Sequence, residues 1–147
     1  MMLSSWRLLL ALAVAPRLAT SSFSLGTIVQ NSWYYIDNHL AATTSQGCLD
    51  AYNANIDCDP TLLSLVSSAS PNFNPEPADL ERTCVSTCKD SLDAYVKNVQ
   101  SACSLPNDAA LVESDENNEP RAQVPVAVVG QIFQYQYAFS CSQNRLV

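Results

Sequence analysis

The chain has 147 residues, enough for one domain plus targeting or linker segments. The chain contains seven Lys and Arg residues and fourteen Asp and Glu residues. The resulting net charge of −7 repels nucleic acid and anionic lipid. We therefore expect neither nucleic acid nor, once the targeting segment is removed, a membrane as partner.

Residues 1–21 have the order of a secretory signal peptide. Arg7 supplies a positive charge, residues 8–15 form an unbroken apolar run, and small residues surround Ser21. Eight apolar residues make about 12 Å of helix, far less than the roughly 30 Å of a bilayer core. We expect cleavage near Ser21 and an extracellular protein, whose mature form has five basic and fourteen acidic residues.

Residues 22–46 are interpreted as an N-terminal extension. They contain an aromatic cluster, Trp33, Tyr34 and Tyr35, which is a candidate surface for stacking against a sugar. The alternative is that these rings are packed inside the protein, as such clusters often are.

Residues 47–103 read as a cysteine-rich helical domain. The sequence predicts a short helix over residues 48–58 and a second one starting at Asp59-Pro60, with Asp59 as N-cap. Three prolines make residues 70–77 a loop. Residues 78–103 are predicted to form one long helix, because one apolar stripe carries Leu80, Cys84, Cys88, Leu92, Tyr95, Val96, Val99 and Cys103.

The remaining residues divide into two segments. Residues 104–123 are polar and acidic and are interpreted as a linker or loop. Residues 124–147 are apolar and aromatic, and their periodicity fits either a helix, which we favour, or a strand. Tyr135 and Tyr137 in this segment are further candidate ligand-binding residues. Together the segments predict a small, mostly α, disulfide-stapled domain with long loops.

Six cysteines in a secreted chain predict three disulfides: Cys48, Cys58, Cys84, Cys88, Cys103 and Cys141. Cys84 and Cys88 lie one helical turn apart, about 5–6 Å between Cβ atoms, which is too far for a bond between them. Our hypothesis, one of fifteen connectivities, is that both bond to the 48–58 segment and that Cys103 bonds to Cys141. Structural zinc on these thiols is disfavoured in an exported chain, and no cofactor is expected.

Catalytic patterns are missing from the sequence. His39 is its one histidine, and no Gly-x-Ser-x-Gly motif accompanies it. Asp57 and Asp59 flank Cys58, but a domain of this size offers little room for a glycosidase cleft between them. We expect a protein without enzymatic activity.

Cysteine spacing carries a family resemblance. Cys48-x(9)-Cys58-Asp59, Cys84-x(3)-Cys88 and the run from Ser91 to Cys103 resemble the cysteine-rich N-terminal region of fungal secreted proteins with lysin motif (LysM) domains. Gly130-Gln131-x-Phe133-x-Tyr135-x-Tyr137-x(3)-Cys141 extends the resemblance, which covers residues 47–141. The chain stops at residue 147, where the family continues, so both a truncated gene model and a chain that lost its sugar-binding half stay open as interpretations.

The resemblance implies a non-enzymatic accessory module associated with chitin or the fungal cell wall, acting as an effector. The family's chitin-binding residues lie in lysin motifs, which are absent here, so none can be transferred. Two alternatives stay open. One is direct binding of chitin or another cell-wall polysaccharide through the aromatic residues named above. The other is binding of a host or cell-wall protein through the apolar residues 124–139.

Overall fold

The computed structural model describes residues 21–27, 39–67, 72–112 and 122–143. In these ranges the chain forms α1 (Gln46–Tyr52), α2 (Thr61–Val66), α3 (Pro77–Thr83), α4 (Ser86–Ala102), β1 (Ala110–Leu111), β2 (Gln123–Val124) and α5 (Ala127–Gln143). The two strands pair antiparallel, with Ala110 opposite Val124. The prediction of a small, mostly α domain is confirmed. The signal peptide and the Trp33–Tyr35 cluster fall outside the described residues.

The short helices begin where polar side chains satisfy their first backbone N–H groups. Ser45 Oγ accepts from the Cys48 N–H at 3.3 Å at the start of α1. Asp59 Oδ1 accepts from both the backbone N–H of Thr61, at 3.0 Å, and its hydroxyl, at 2.6 Å, before α2. Pro77, which lacks an N–H, opens α3. The second helix therefore begins at Thr61 with Pro60 as N-cap, one residue after the predicted start, and Asp59 still satisfies the Thr61 N–H.

Two helix predictions need correction. The helix predicted over 48–58 ends at Tyr52, because Ile56 leaves it to exchange backbone hydrogen bonds with Phe23. The single helix predicted over 78–103 is two helices, because Val85 adopts an extended backbone (φ −96°, ψ 150°) between α3 and α4. The apolar stripe runs unbroken across Val85, so periodicity alone did not reveal the break.

That break explains the disulfide connectivity, which is Cys48–Cys103, Cys58–Cys88 and Cys84–Cys141. Cys84 and Cys88 do not bond to each other, as predicted, and Cys88 does bond to the 48–58 segment. The other two predicted pairings are wrong. Because α3 ends at Thr83, Cys84 lies outside the face of α4 that carries Cys88, and it bonds to the last turn of α5 instead.

The core lies between α4, α5 and the short helices. Its fully buried side chains include Tyr52, Leu62, Leu92 and Phe133. The buried Tyr95 hydroxyl donates to the Tyr52 carbonyl at 2.8 Å, and burial raises the pKa of Tyr95, so it stays neutral. A paired hydroxyl at this depth satisfies its hydrogen-bonding requirement within the core.

The described parts of the predicted N-terminal extension are built into this core. Leu25 is fully buried, and Phe23 exchanges backbone hydrogen bonds with Ile56 at 3.1 and 2.8 Å. Leu40 forms a β-bridge with Ala110. Residues 22–27 and 39–46 therefore contribute to the domain rather than extending from it.

Helices α4 and α5 pack closely at residue 130. A Cβ built on Gly130 would lie 2.9 Å from Tyr95 Cε1 and 2.9 Å from Val96 Cγ2. Real Cβ atoms do not come so close to carbon, so the glycine permits the two helices to pack at this distance. The C-terminal segment is thus a helix, as favoured from its sequence, seated against α4.

Gly130→Ala is expected to destabilise the protein by about 1–3 kcal/mol, because the added methyl overpacks the α4–α5 contact. The matched control is Gly47→Ala in α1, where a Cβ has nothing within 4 Å. There the higher helix propensity of alanine should raise stability by about 0.5–1 kcal/mol. Urea unfolding monitored by circular dichroism measures both. Equal stabilisation by the two substitutions would contradict the tight contact.

The first part of the predicted acidic linker or loop is packed against the domain. Ala109, Ala110 and Asp108 are buried. Asp108 Oδ1 accepts from the Ser45 N–H at 2.7 Å, and Oδ2 accepts from the Leu105 N–H at 3.1 Å. The description of residues 104–123 as solvated is therefore wrong for this part, because Asp108 attaches it to Ser45 at the start of α1 and the backbone of Ala109 and Ala110 pairs with Ala41 and Leu40.

Stability is expected to fall in acid because of Asp108. The hydrogen bond from the Ser45 backbone N–H, assisted by the Ser45 hydroxyl and the Leu105 N–H, lowers the pKa of Asp108 despite its burial. A lowered folded-state pKa contributes stability above the unfolded value of about 3.9, and this contribution is lost as pH falls below it. Asp108→Asn should be less stable than wild type at neutral pH, with the difference shrinking in acid. A difference that is constant with pH, by thermal unfolding, would contradict this role.

Candidate functional site on helix α5

The predicted ligand-binding aromatics separate into two groups. Trp33, Tyr34 and Tyr35 lie outside the described residues, so the structure does not place them. Tyr135 and Tyr137 both lie on α5, two residues apart, and therefore point to different sides of that helix. Their environments differ accordingly.

The inner side of α5 faces the core. Val129 and Phe133 are buried, and the Phe133 ring lies 6.0 Å from the Phe23 ring, centroid to centroid. Tyr137 is half-buried against this core, and its hydroxyl donates to the Val85 carbonyl at 3.0 Å. Tyr137 thus joins α5 to the break between α3 and α4, and its role in ligand binding stays a prediction.

The outer side of α5 is also apolar. Ile132 is 50% exposed, Tyr135 71% and Phe139 49%, and the half-buried Val128 continues the row toward the start of the helix. These four residues are the outer seam of α5. Within it the Tyr135 and Phe139 rings lie nearly parallel, 13° apart, with centroids separated by 6.4 Å.

The outer seam is electrically neutral. No Asp, Glu, Lys or Arg occurs anywhere in Ala127–Gln143. One contact with a charged residue lies at the helix flank, where Gln134 Nε2 donates to Asp93 Oδ1 at 2.8 Å. Asp93 is paired with Lys89 at 2.7 Å, and this hydrogen bond, helped by that from Gln134, lowers the pKa of Asp93. The carboxylate therefore stays ionised and paired at neutral pH.

The cysteines and Asp59, which were considered for metal binding or catalysis, have structural partners. All six cysteines are in disulfides. Asp59, beside Cys58, accepts from Thr61 and lies 3.3 Å from Arg82 Nε. Burial opposes ionisation of Asp59, but these partners together lower its pKa. Among the residues the structure describes, no cluster of three His, Cys, Asp or Glu could hold a metal ion, and no helix could span a membrane.

Sequence reasoning did not single out Ile132 and Phe139, although the proposed protein-binding segment 124–139 contains both. The signal was present, because positions 128, 132, 135 and 139 recur at four-, three- and four-residue spacing. The alternation of Phe133, Tyr135, Tyr137 and Phe139 hid it by suggesting a strand. Once the segment is known to be helical, the same residues divide into an inner and an outer set.

Comparison with known proteins gives three matches. Residues 32–145 match a family model described as the secreted LysM effector N-terminal domain. A LysM domain-containing protein of Arthroderma benhamiae is 36% identical over 64 residues, which is 44% of this chain and 11% of that relative. The secreted LysM effector Vd5LysM of Verticillium dahliae is 38% identical over 71 residues, 46% of this chain and 10% of that relative.

The matched part is therefore about a tenth of the length of either relative. No solved structure matches this chain.

Proposed function

Because this chain belongs to the family of the secreted LysM effector N-terminal domain, we propose that it is a non-enzymatic accessory module that acts at chitin or the fungal cell wall. The protein is secreted and resembles fungal effectors. In this proposal the protein keeps a stable, protease-resistant fold outside the cell and associates with the cell wall or with proteins in the wall.

The family match over residues 32–145 is the observation that carries the proposal. The chemistry of the described residues is compatible with it. The cysteines cross-link separate segments of the chain, and the ion pair between Asp59 and Arg82 joins the start of α2 to α3. Asp108 holds the loop beside α1. Side chains used in this way support stability rather than turnover.

A second candidate function is protein binding through residues 124–139. The exposed outer seam favours it, because an apolar row on the surface of an acidic, soluble protein is typical of an interaction site. Tyr135 would be the central contact, since tyrosine offers a large apolar ring at a low cost in side-chain entropy.

The test is retention of the oxidised protein on three insoluble materials: purified chitin, cellulose and intact fungal cell wall. The proposal expects retention on intact wall, loss of that retention after disulfide reduction, and no release of soluble sugar from any of the three. Tyr135→Ala and the matched Leu105→Ala, at another exposed apolar residue, separate a specific ring contact from general stickiness.

The outcomes separate the candidates. Retention on purified chitin that Tyr135→Ala abolishes and Leu105→Ala preserves would establish direct sugar binding. Retention on wall that prior protease treatment of the wall abolishes would favour the protein-binding alternative. Failure to bind any material would overturn cell-wall association, and release of soluble sugar would overturn the non-enzymatic assignment.

A further inference from the structure

We infer that the Cys84–Cys141 disulfide is a redox-sensitive latch, whose reduction by a dithiol releases the C-terminal end of α5, residues 135–143, while the rest of the domain stays folded. The inference does not depend on association with the cell wall. It rests on where the bond is attached, on the sparse apolar packing of this end of α5, and on the burial of the other two disulfides.

Two attachments of the C-terminal end of α5 meet at the break between α3 and α4. Cys141 bonds to Cys84, and one turn earlier the Tyr137 hydroxyl donates to the carbonyl of Val85 at 3.0 Å. Residues four positions apart lie on the same side of a helix, so Cys141 and Tyr137 both face this break. The disulfide and the hydrogen bond therefore hold the end of α5 to two consecutive residues.

Apolar packing of α5 is concentrated in its first half. Val129 and Phe133 are buried, whereas no apolar side chain in residues 135–142 is buried. Tyr137 is half-buried and Phe139 is 49% exposed. Parts of a protein with few buried apolar contacts open locally at a low cost in free energy. The end of α5 therefore depends on its cross-link more than the first half of the helix does.

The Cys84–Cys141 bond is accessible from both of its cysteines. Cys84 and Cys141 are each partly exposed, whereas each of the other bonds contains a cysteine with 0% exposure, Cys48 or Cys88. Thiol–disulfide exchange requires a thiolate to reach a sulfur atom. A reductant at the surface therefore reaches the latch first. The other two bonds remain and continue to join both ends of α4 to residues 48–58.

The chemical step is a two-electron exchange with a dithiol. One thiolate of the dithiol attacks a sulfur of the Cys84–Cys141 bond, forms a mixed disulfide and displaces the other cysteine as a thiolate. The second thiolate of the dithiol attacks the mixed disulfide, so the dithiol becomes a disulfide. Both cysteines are reduced and take up the two protons that the dithiol lost. The latch is thus closed in an oxidising exterior and opens where dithiol reductants act.

The released segment has a defined boundary. Gln134 donates to Asp93 of α4 at 2.8 Å, and Phe133 before it is fully buried. Gly130, one turn earlier, packs against Tyr95. These contacts do not involve the latch, so they keep the first half of α5 in place when the bond is reduced.

Graded treatment of the folded, oxidised protein with dithiothreitol tests the inference. Iodoacetamide traps the free thiols, peptide mass spectrometry locates them, and amide hydrogen exchange is measured on the product that has lost one disulfide. We expect Cys84–Cys141 to be reduced at least about tenfold faster than either other bond, with faster amide exchange confined to residues 135–143 and the adjoining break. The double variant Cys84→Ala, Cys141→Ala should show the same local change without alkyl groups.

Tyr137→Phe separates a latch from a bond that is merely exposed. It keeps the ring but removes the hydrogen bond to Val85, so the end of α5 should open more often. Reduction of Cys84–Cys141 should then be about threefold faster or more. The matched control is Tyr135→Phe, the same change two residues earlier at a side chain that is 71% exposed. Its reduction rate should equal that of wild type.

Reduction of either other bond before Cys84–Cys141 would overturn the inference. Loss of amide protection throughout α4 after reduction of Cys84–Cys141 alone would also overturn it, because the bond would then hold the whole fold. Unchanged protection of residues 135–143, in the reduced product or in the double variant, would mean that packing alone holds the end of α5. Equal reduction rates for Tyr137→Phe and wild type would contradict the coupling of the hydrogen bond to the latch.

Discussion

Phe133→Ala is expected to lower the free energy of unfolding by about 3–5 kcal/mol, since it empties a large volume at the centre of the core. Phe133 is fully buried and contacts the ring of Phe23, so one side chain joins α5 to the N-terminal part of the domain. The neighbouring elements are held by disulfides and cannot collapse freely into the cavity. This loss is a large part of the roughly 5–15 kcal/mol by which domains are stable.

The control is Phe139→Ala, the same substitution six residues later on the same helix. Phe139 is 49% exposed, and its described ring contact is with the equally superficial Tyr135. Its removal should cost about 1 kcal/mol or less, because little of the ring is buried on folding. Guanidinium unfolding of the oxidised proteins measures both variants. Similar losses from the two would mean that the inner and outer sides of α5 are assigned wrongly.

Removal of the Cys58–Cys88 disulfide, by alanine at both positions, is expected to lower stability by about 3–5 kcal/mol. Chain entropy alone favours the Cys84–Cys141 bond as the more stabilising, because its sequence separation is 57 against 30. Burial instead predicts that the Cys58–Cys88 bond is the more stabilising of the two. Cys58 and Cys88 are 2% and 0% exposed, so replacing them also removes packed sulfur atoms from the core.

We expect the double substitution at Cys58 and Cys88 to cost at least as much as that at Cys84 and Cys141, in denaturant unfolding. In graded reduction followed by thiol labelling, Cys84 and Cys141 should be modified first, because both are partly exposed. A larger loss from Cys84 and Cys141, with their labelling last, would contradict the ranking by burial. The control is unfolding of the fully reduced wild type, which removes all three cross-links together.

Local structure was predictable wherever short-range chemistry decides it. Asp59-Pro60 marks the start of α2 because a carboxylate cap and a missing N–H both suit a helix N-terminus. Leu92, Tyr95 and Val99 mark the buried side of α4 because helical periodicity brings them to one side. These features need only the residues within a few positions along the chain.

Features that depend on distant residues were not predictable. Val85 separates α3 from α4 with no local signal in the sequence, and its carbonyl accepts from the Tyr137 hydroxyl, 52 residues away. The exposure of residues in the candidate site also depends on contacts with distant residues. The sequence indicates Tyr135 and Tyr137 alike by their rings, but the packing of α5 on the core decides that Tyr135 meets solvent and Tyr137 is half-buried.

By itself, then, the sequence determined that this is a secreted, acidic, disulfide-linked, mostly α protein, and its cysteine spacing indicated the family. Composition and local periodicity suffice for these properties, because each depends on residue type and near neighbours. The pairing of the cysteines, the end of α3 and the side of α5 that meets solvent became known from the folded arrangement of the chain. Those outcomes follow from packing between segments far apart in the chain, where one close contact, at Gly130, and three covalent cross-links select a single arrangement.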